Sequence, residues 1–422
     1  MSVNDFDTKI LDPHWYTTPE HHAAFKMLRD EDPVHWTEDP VYGKDYWLLT
    51  RYDHTLEYLQ DPARFSSRLD TRVPRTPKRR TPEERHAQGL DVRLTTNDDP
   101  VHALYRRPMN KHFSVPSVGK LRAHIERVVD EIIRDVAPKG EVDVVEDLAS
   151  ALPMKVVLGM LGVPESDMGY LDEATWQWMS AADPRYIIDG DEVATSLHGL
   201  QKLIDYGTEL AKDRQKNPRD DFATAITQME IDGDPLSVHE AMLYYVTVIG
   251  GGAETTRTAA SVGTWLFMQH PEQRRLLLED PALAKAAAEE VVRWSTPERN
   301  RFRVATQDFD FHGKRIRTGD WVITFLTSAN RDERVFDRPD AFDIQRTPND
   351  HLSFGAGVHG CLGRNLARLE LTVFFPKLLE AFPDLEMTEP GEPNWIADRS
   401  VAGFTTMPVS FTPRDLSPSR VA

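Results

Sequence analysis

The sequence contains a single cysteine, Cys361, among 422 residues. One cysteine cannot form a disulfide within the chain, and such usage is typical of a reducing cytosol. No run of about 18 consecutive apolar residues occurs, so no membrane-spanning helix is predicted. Residues 1–7 lack the basic start and apolar core of a signal peptide. We therefore expect a cytoplasmic protein that does not act at a membrane.

Positive charge is also in deficit. Lys and Arg number 50 against 68 Asp and Glu, which gives a formal net charge of −18. An acidic protein of this kind is unlikely to bind nucleic acid as a whole. Internal repeats, low-complexity tracts and linkers are absent as well. With 40% hydrophobic residues, the composition predicts a large core, and we expect one domain over residues 1–413 with a disordered tail, 414–422.

Apolar periodicity predicts a mainly α fold with a smaller β part, an α+β class. Helical patterns dominate residues 118–235, whereas short alternating stretches in 301–327 predict strands. Residues 67–98 are polar and irregular, which predicts a long loop, and loops of this length are often lids over ligand sites. The basic residues of this loop could meet an anionic group; they are Arg72, Arg75, Lys78, Arg79, Arg80 and Arg85.

One long helix is predicted near the middle of the chain. Residues 237–240 read SVHE, a capping box that marks a helix start. No proline follows before Pro271, so we expect a helix of about 33 residues, or about 50 Å. Its centre, 250–256, reads GGGAETT. Three interior glycines cost about 1 kcal/mol each relative to alanine. Close approach of a ligand or local unwinding would offset that cost, so we expect a functional site here.

The cysteine lies in a glycine-rich stretch, 351–364, that reads HLSFGAGVHGCLGR. Its G-x-G-x-x-G spacing matches a dinucleotide fingerprint, but no apolar strand precedes it and Glu380 falls in a helical pattern. A thiol nucleophile activated by His359 would lack a third, orienting group. A thiolate ligand to haem iron needs N–H donors and positive potential around the sulfur. We expect Cys361 to open a helix, whose N-terminus supplies both.

Phe354-Gly355-x-Gly357-x-His359-x-Cys361-Leu362-Gly363, followed by Leu366-Ala367-Arg368, resembles the haem-ligand signature of the cytochromes P-450. Glu290-x-x-Arg293 is similar to the structural E-x-x-R pair of that family, and residues 251–256 are similar to its oxygen-activation motif. The resemblance extends over about residues 15–413 and is strongest to soluble bacterial members. The stretches 328–332 and 407–409 suggest the group that hydroxylates terpenes and sterol side chains.

The resemblance implies a single triangular-prism fold with haem b between the long helix and the cysteine-bearing loop. Cys361 would be the proximal thiolate to iron. Thr255 and Glu254 would assist activation of O2 and proton delivery, and the glycines at 250–252 would leave room for O2 and substrate. The implied reaction is hydroxylation of a lipophilic, terpenoid or steroid-like molecule. The alternatives are a carboxylate-bearing or natural-product substrate and, in a different class, a haem-thiolate sensor, isomerase or peroxygenase.

Further residues receive roles from the same resemblance. The cations for the haem propionates would be His102, Arg106, Arg303 and His359. Other cofactor contacts would be Phe354, Gly355, Gly363 and Ala253. The substrate would be lined by Val246, Ile249, Gly250, Pro297, Phe302, Val401 and Phe404, with Arg299 and Arg301 available to an anionic group. Glu290, Arg293 and Arg346 would be structural, and Arg338 is the alternative to Arg346.

No flavin or iron–sulfur module is present in the sequence. The resemblance therefore implies a separate ferredoxin, or a flavodoxin, with its reductase as the electron source. A basic patch that suits an acidic redox partner would comprise Arg107, Lys111, Arg364 and His112. We expect a monomer.

Overall fold

The computed structural model describes residues 3–39, 43–72, 81, 93–181, 183 and 185–416. Several residues of the predicted loop and tail lie outside this part of the chain, namely Arg75, Lys78, Arg79, Arg80, Arg85 and 417–422.

The chain forms two compact units. Unit 1 comprises residues 1–103, 262–364 and 392–404, and unit 2 comprises 104–261, 365–391 and 405–422. Each unit therefore collects segments that are distant in sequence. The single domain over 1–413 stays a prediction.

Helices dominate the described residues, in agreement with the predicted class. The α-helices are Val3–Lys9, Glu20–Glu31, Tyr52–Gln60, Val101–Asn110, Val115–Gly119, Arg122–Val136, Ala151–Met160, Glu165–Met179, Glu192–Lys216, Phe222–Thr227, Val238–Gln269, Pro271–Glu279, Ala284–Ser295, Leu326–Ala329 and Arg364–Ala381. A π-helical segment covers Val144–Ser150, and short 3-10 turns cover Pro13–Thr17, Pro281–Leu283 and Gly357–His359. None of the helices in the described ranges is both long and apolar enough to cross a membrane.

The strands are short. They are β1 (Val34–Thr37), β2 (Tyr46–Leu49), β3 (Phe65–Ser66), β4 (Glu141–Asp143), β5 (Glu230–Ile231), β6 (Asp234–Pro235), β7 (Asn300–Ala305), β8 (Phe309–Phe311), β9 (Lys314–Ile316), β10 (Trp321–Phe325), β11 (Glu386–Met387), β12 (Asn394–Trp395), β13 (Phe404–Thr406) and β14 (Pro408–Ser410).

Unit 1 contains a five-stranded sheet in the order β1-β2-β10-β7-β3. Strand β10 runs parallel to β2 and antiparallel to β7, with Ile323 opposite Phe302. On one face, Phe302 and Ile323 join a buried cluster with Phe25 and Trp321. Successive side chains of a strand point to opposite faces. Arg301 and Arg303, the neighbours of Phe302, therefore lie on the other face of β7.

The capping box predicted at 237–240 forms. The Ser237 amide donates to Glu240 Oε2 over 2.9 Å, and the Glu240 amide donates to Ser237 Oγ over 3.2 Å. The long helix then runs from Val238 to Gln269 without a break, over 32 residues. The prediction of one long helix is confirmed, and the local unwinding that the glycines suggested does not occur.

Helix packing within unit 2 accounts for two of the three central glycines. A Cβ on Gly250 would lie 2.6 Å from the Trp178 ring, and one on Gly252 would lie 3.0 Å from Val157 Cγ2. A Cβ on Gly251 would meet nothing within 4 Å. Close approach of protein side chains therefore offsets the cost of the glycines, and the ligand that the sequence suggested is not needed to explain Gly250 or Gly252.

Candidate functional site

The loop that carries Cys361 belongs to unit 1 and is shaped by its glycines. Gly355 and Gly357 adopt φ of 66° and 67°, a region that side chains disfavour. A Cβ on Gly357 would also come within 2.6 Å of the Leu59 carbonyl oxygen. The Cys361 amide donates to the Phe354 carbonyl over 2.7 Å, which closes the loop.

The Cys361 thiol is exposed at this closed loop. The helix that follows begins at Arg364, so the prediction that Cys361 opens a helix is wrong. Leu362 and Gly363 form a turn between the cysteine and the helix. An exposed thiol on a closed glycine loop fits a ligand to a flat cofactor, since the core does not bury the sulfur.

Two of the predicted propionate cations are neighbours in unit 1. The ring centroids of His102 and His359 lie 4.2 Å apart. Asp99 Oδ1 lies 3.2 Å from His102 Nδ1 and also accepts the Ala103 amide over 3.0 Å. The helix begins at Val101, and the Asp99 side chain caps it through the bond with the Ala103 amide.

Arg303 is the third predicted cation in unit 1 and is buried. Its Nη1 donates to the carbonyls of Tyr58 and Leu59 over 2.7 and 3.3 Å, and its guanidinium lies 5.0 Å from the Tyr58 ring centroid. Burial lowers the pKa of Arg303 from its ordinary value. Arg106, the fourth cation, lies in unit 2, where its Nε donates to Asn110 Oδ1 over 3.0 Å.

The acid–alcohol pair lies in unit 2, at the middle of the long helix. Glu254 and its neighbour Ala253 are buried. Thr255 is only half-buried, and its Oγ1 donates to the Gly251 carbonyl over 3.1 Å. Since that bond uses the hydroxyl hydrogen, the Thr255 oxygen retains lone pairs with which to accept a further hydrogen bond.

A buried arginine accompanies this pair and was not predicted. Arg257 lies with its guanidinium 4.1 Å from the Trp176 ring centroid, and its Nη2 is 3.5 Å from Ser180 Oγ. Burial lowers the pKa of Arg257, whereas the charge of Glu254 acts in the opposite direction. The sequence did carry a signal for Arg257: it follows Glu254 by three residues on the same helix, a spacing at which an acid and a base can pair.

A second unpredicted carboxyl lies beside Thr256 in unit 2. Glu370, on the helix Arg364–Ala381, is buried, and burial raises its pKa to about 8, partly opposed by a hydrogen bond with the Thr256 hydroxyl. Nothing local in the sequence marks Glu370, because its burial depends on a helix that is distant in the chain.

The predicted structural pair is fully buried in unit 1. Arg293 Nε and Nη2 each donate to Glu290 over 2.8 Å in a bidentate pair. Arg346 Nε donates to both Glu290 oxygens over 3.2 and 3.1 Å. Arg338 instead lies at the surface near Asp337, 3.4 Å away. Arg346 is therefore the third member of this network.

The predicted substrate residues differ in their surroundings. Val246 and Ile249 are buried in the long helix, in unit 2. In unit 1, Phe404 packs against Trp395 with ring centroids 4.4 Å apart. Phe302 points into the sheet cluster and stacks edge-on against Trp321, so its predicted contact with substrate is wrong.

Pro297 and Val401 belong to one backbone arrangement of unit 1. The Ala402 amide donates to the Pro297 carbonyl over 2.9 Å. Arg299 Nε donates to the Val401 carbonyl over 2.9 Å and its Nη2 to the Tyr16 carbonyl over 3.3 Å. Arg299 is buried by these contacts and holds the backbone here.

An ion-pair cluster lies beside this arrangement, also in unit 1. Glu298 pairs with Arg301 and, through Oε1, with Arg72 Nη2 over 3.0 Å. Glu298 also forms an isolated β-bridge with Val401. The sequence pointed to the arginines but missed Glu298, which holds both of them.

The predicted basic patch is divided between the units. Arg107 and Lys111 are exposed and His112 is half-buried in unit 2, whereas Arg364 is exposed in unit 1.

Comparison with known proteins places these features in context. Residues 197–412 match the family model described as Cytochrome P450. The chain is 34% identical to a methyl-branched lipid omega-hydroxylase of Mycobacterium tuberculosis, over 92% of this chain and 91% of that one. It is 32% identical to the steroid C26-monooxygenase of the same organism, over 96% and 98%. Among solved structures, a Mycobacterium marinum cytochrome P450 in complex with pseudoionone matches with a TM-score of 0.85 and 30% identity, over 94% and 96% of the two chains.

Proposed function

Since the chain belongs to the cytochrome P450 family, we propose that it hydroxylates a terpenoid or steroid-like molecule with electrons from a separate ferredoxin. The family assignment makes the protein a haem-thiolate monooxygenase that uses O2. The similarity to hydroxylases of lipids and steroids makes its substrate lipophilic. Beyond the family assignment, we propose the terpenoid or steroid-like class of the substrate and a ferredoxin as the electron donor.

Cys361 would hold the haem iron, because a thiolate ligand needs a cysteine and the sequence contains only this one. When bound, the haem supplies the iron at which O2 is bound and activated, with the thiolate favouring O–O cleavage. The glycine loop leaves the sulfur exposed, which suits this ligand. His102, His359 and Arg303, with Arg106, would pair with the propionates. Phe354, Gly355, Gly363 and Ala253 would complete the cofactor contacts.

Thr255 and Glu254 would deliver protons during turnover. The Thr255 hydroxyl hydrogen is bonded to the Gly251 carbonyl, so its oxygen is oriented to accept a hydrogen bond on the other side. Glu254 is buried on the same helix turn, with Arg257 within reach of its charge. A carboxylate in such a position can pass a proton to a neighbouring hydroxyl.

Apolar contacts support a lipophilic substrate. The predicted substrate residues of unit 2, Val246, Ile249 and Gly250, are apolar. Those of unit 1, Pro297, Val401 and Phe404, are apolar as well. The terpene and steroid classes are supported by the relatives, which are named as acting on methyl-branched lipid and steroid, and by the pseudoionone complex.

Incorporation of labelled oxygen tests this function. Purified protein with a surrogate ferredoxin, its reductase and NADPH is incubated under ¹⁸O2 with terpenoids and steroids selected by a spin-state titration. A product that carries one ¹⁸O atom is the expected result. Conversion without label, or conversion supported by peroxide but not by O2 and electrons, would contradict the proposal and favour the peroxygenase or isomerase alternative.

Ferredoxin docking is supported by exposed basic side chains, since acidic redox partners recognise positive patches. We expect charge reversal of Arg107 and Arg364 to glutamate to slow reduction by ferredoxin and to leave the affinity for substrate unchanged. Arg122→Glu, an exposed arginine in an i,i+4 pair with Glu126, serves as the control. Stopped-flow reduction kinetics decide, and equal rates in all variants would refute the docking patch.

A further inference from the structure

Three arginines alternate along β7 and its approach, with one carboxylate among them. Arg299, Arg301 and Arg303 are two residues apart, and Glu298 precedes them. Arg299 and Arg303 are held by backbone carbonyls, which carry no net charge. The described carboxylates Asp61 and Asp98 attract Arg303. Glu298 is the carboxylate that contacts Arg301, and it is shared with Arg72.

Arg301 is under-satisfied in hydrogen bonds. A guanidinium has five N–H donors. Within the described ranges, Arg301 uses one at Nη2 for Glu298 and one at Nη1 for the Asn300 carbonyl, 3.2 Å away. Its side chain retains 28% exposure, so the remaining donors are accessible to a ligand. By contrast, Arg299 and Arg303 are almost completely buried by the protein.

Arg301 lies beside a second arginine and is connected through Glu298 to a predicted substrate residue. Arg301 and Arg72 both pair with Glu298, so two positively charged groups that repel each other converge on one carboxylate. An added negative charge at this place would relieve that repulsion. Glu298 also forms a β-bridge with Val401, which is itself a predicted substrate residue.

We propose that Arg301, held by Glu298 and assisted by Arg72, binds the carboxylate of an otherwise apolar substrate. A guanidinium fork matches the geometry of a carboxylate and forms strong charge-assisted bonds with it. Glu298 contacts both guanidinium groups and positions them for the ligand. The inference rests on the proposed monooxygenase function and names the polar group of its substrate.

Matched pairs of ligands test the proposal. Dodecanoic, citronellic and 3-oxo-4-cholenic acids are compared with their methyl esters, which keep the apolar body and remove the charge. Dissociation constants are measured by calorimetry on the haem-loaded protein, and haem content is measured in parallel. Wild type should bind at least one acid about 10- to 100-fold more tightly than its ester, as expected for charged hydrogen bonds.

Variants assign this preference to the cluster. Arg301→Gln should reduce the preference to less than about 3-fold without changing the affinity for the ester, and Arg301→Lys should restore part of it. Arg315→Gln, an arginine on β9 that is 54% exposed, is the control and should keep the full preference. If Arg301→Gln does not fold, Arg301→Lys and Arg72→Gln decide, and both should weaken binding of the acid alone.

Several results would overturn the proposal. They are equal affinities of acid and ester in wild type, no binding of any of the three acids, a full preference in Arg301→Gln, or loss of haem from that variant with the preference intact. The last result would place Arg301 at the cofactor. Failure of the monooxygenase function is recognised separately, as acid-selective binding without ¹⁸O in any product.

Discussion

Removal of the Glu290 charge should destabilise the protein strongly. Glu290 and Arg293 have no exposed side-chain surface, and Arg346 is only 7% exposed. Glu290→Gln preserves shape but leaves two buried guanidinium groups without a counter-charge. Breaking a buried pair in this way costs about 3–5 kcal/mol. With an unfolding entropy of about 2.1 cal/mol/K per residue, that cost lowers Tm by about 3 to 6 °C if all 422 residues unfold together.

Two controls separate this effect from loss of an ordinary ion pair. Glu279→Gln breaks an exposed pair with Arg275, 2.8 Å apart, and should cost less than about 0.5 kcal/mol. Arg338→Gln, at an arginine that is 69% exposed, should be equally mild, whereas Arg346→Gln should be severe. Scanning calorimetry and urea unfolding of the four variants provide the comparison. A loss at Glu290 no larger than that at Glu279 would refute the reasoning.

Three further predictions follow from the long helix and its neighbours. Gly250→Ala should lower the free energy of unfolding by about 1–3 kcal/mol, because its Cβ meets the Trp178 ring. Gly251→Ala should be neutral or stabilising by up to about 1 kcal/mol. Equal effects of the two variants in thermal unfolding would contradict this. Glu370 titrates near 4.5 when unfolded and near 8 when folded, so stability should fall as pH rises from 5.5 to 7.5, by about 2–3 kcal/mol. Urea unfolding of Glu370→Gln should lack this fall, and an unchanged pH slope would count against it. Thr255→Ala should lower the amount of product formed per electron pair at least about 10-fold. Thr255→Ser should largely retain this ratio. An unchanged ratio in the alanine variant would exclude the proposed role of Thr255.

Local sequence patterns predicted helices and strands correctly where a single local signal was sufficient to define them. The capping box at 237–240 and the absence of proline before Pro271 defined the long helix, because helix starts and stops depend on a few neighbouring residues. The alternation around β7 likewise predicted a strand. What alternation could not decide was which face meets the core, and for that reason Phe302 was misassigned to substrate.

Contacts between segments that are distant in the chain could not be predicted from local sequence patterns. The reason for Gly250 is Trp178, which lies on another helix, and the burial of Glu370 depends on Thr256. Arg346 was ranked above Arg338 only by resemblance, and the choice needed the geometry around Glu290. The pairing of Glu298 with Arg301 and Arg72 was not predicted, because a single acidic residue among arginines forms no recognisable motif.

The role of Cys361 is the claim on which the account depends most. The reduced carbon monoxide spectrum of wild type and of Cys361→Ser tests it directly, since the spectrum reports the ligand opposite the bound gas. Wild type should show the thiolate-type band, and the variant should lose that band even where it retains haem. A thiolate-type band in Cys361→Ser, or its absence from haem-loaded wild type, would contradict the assignment.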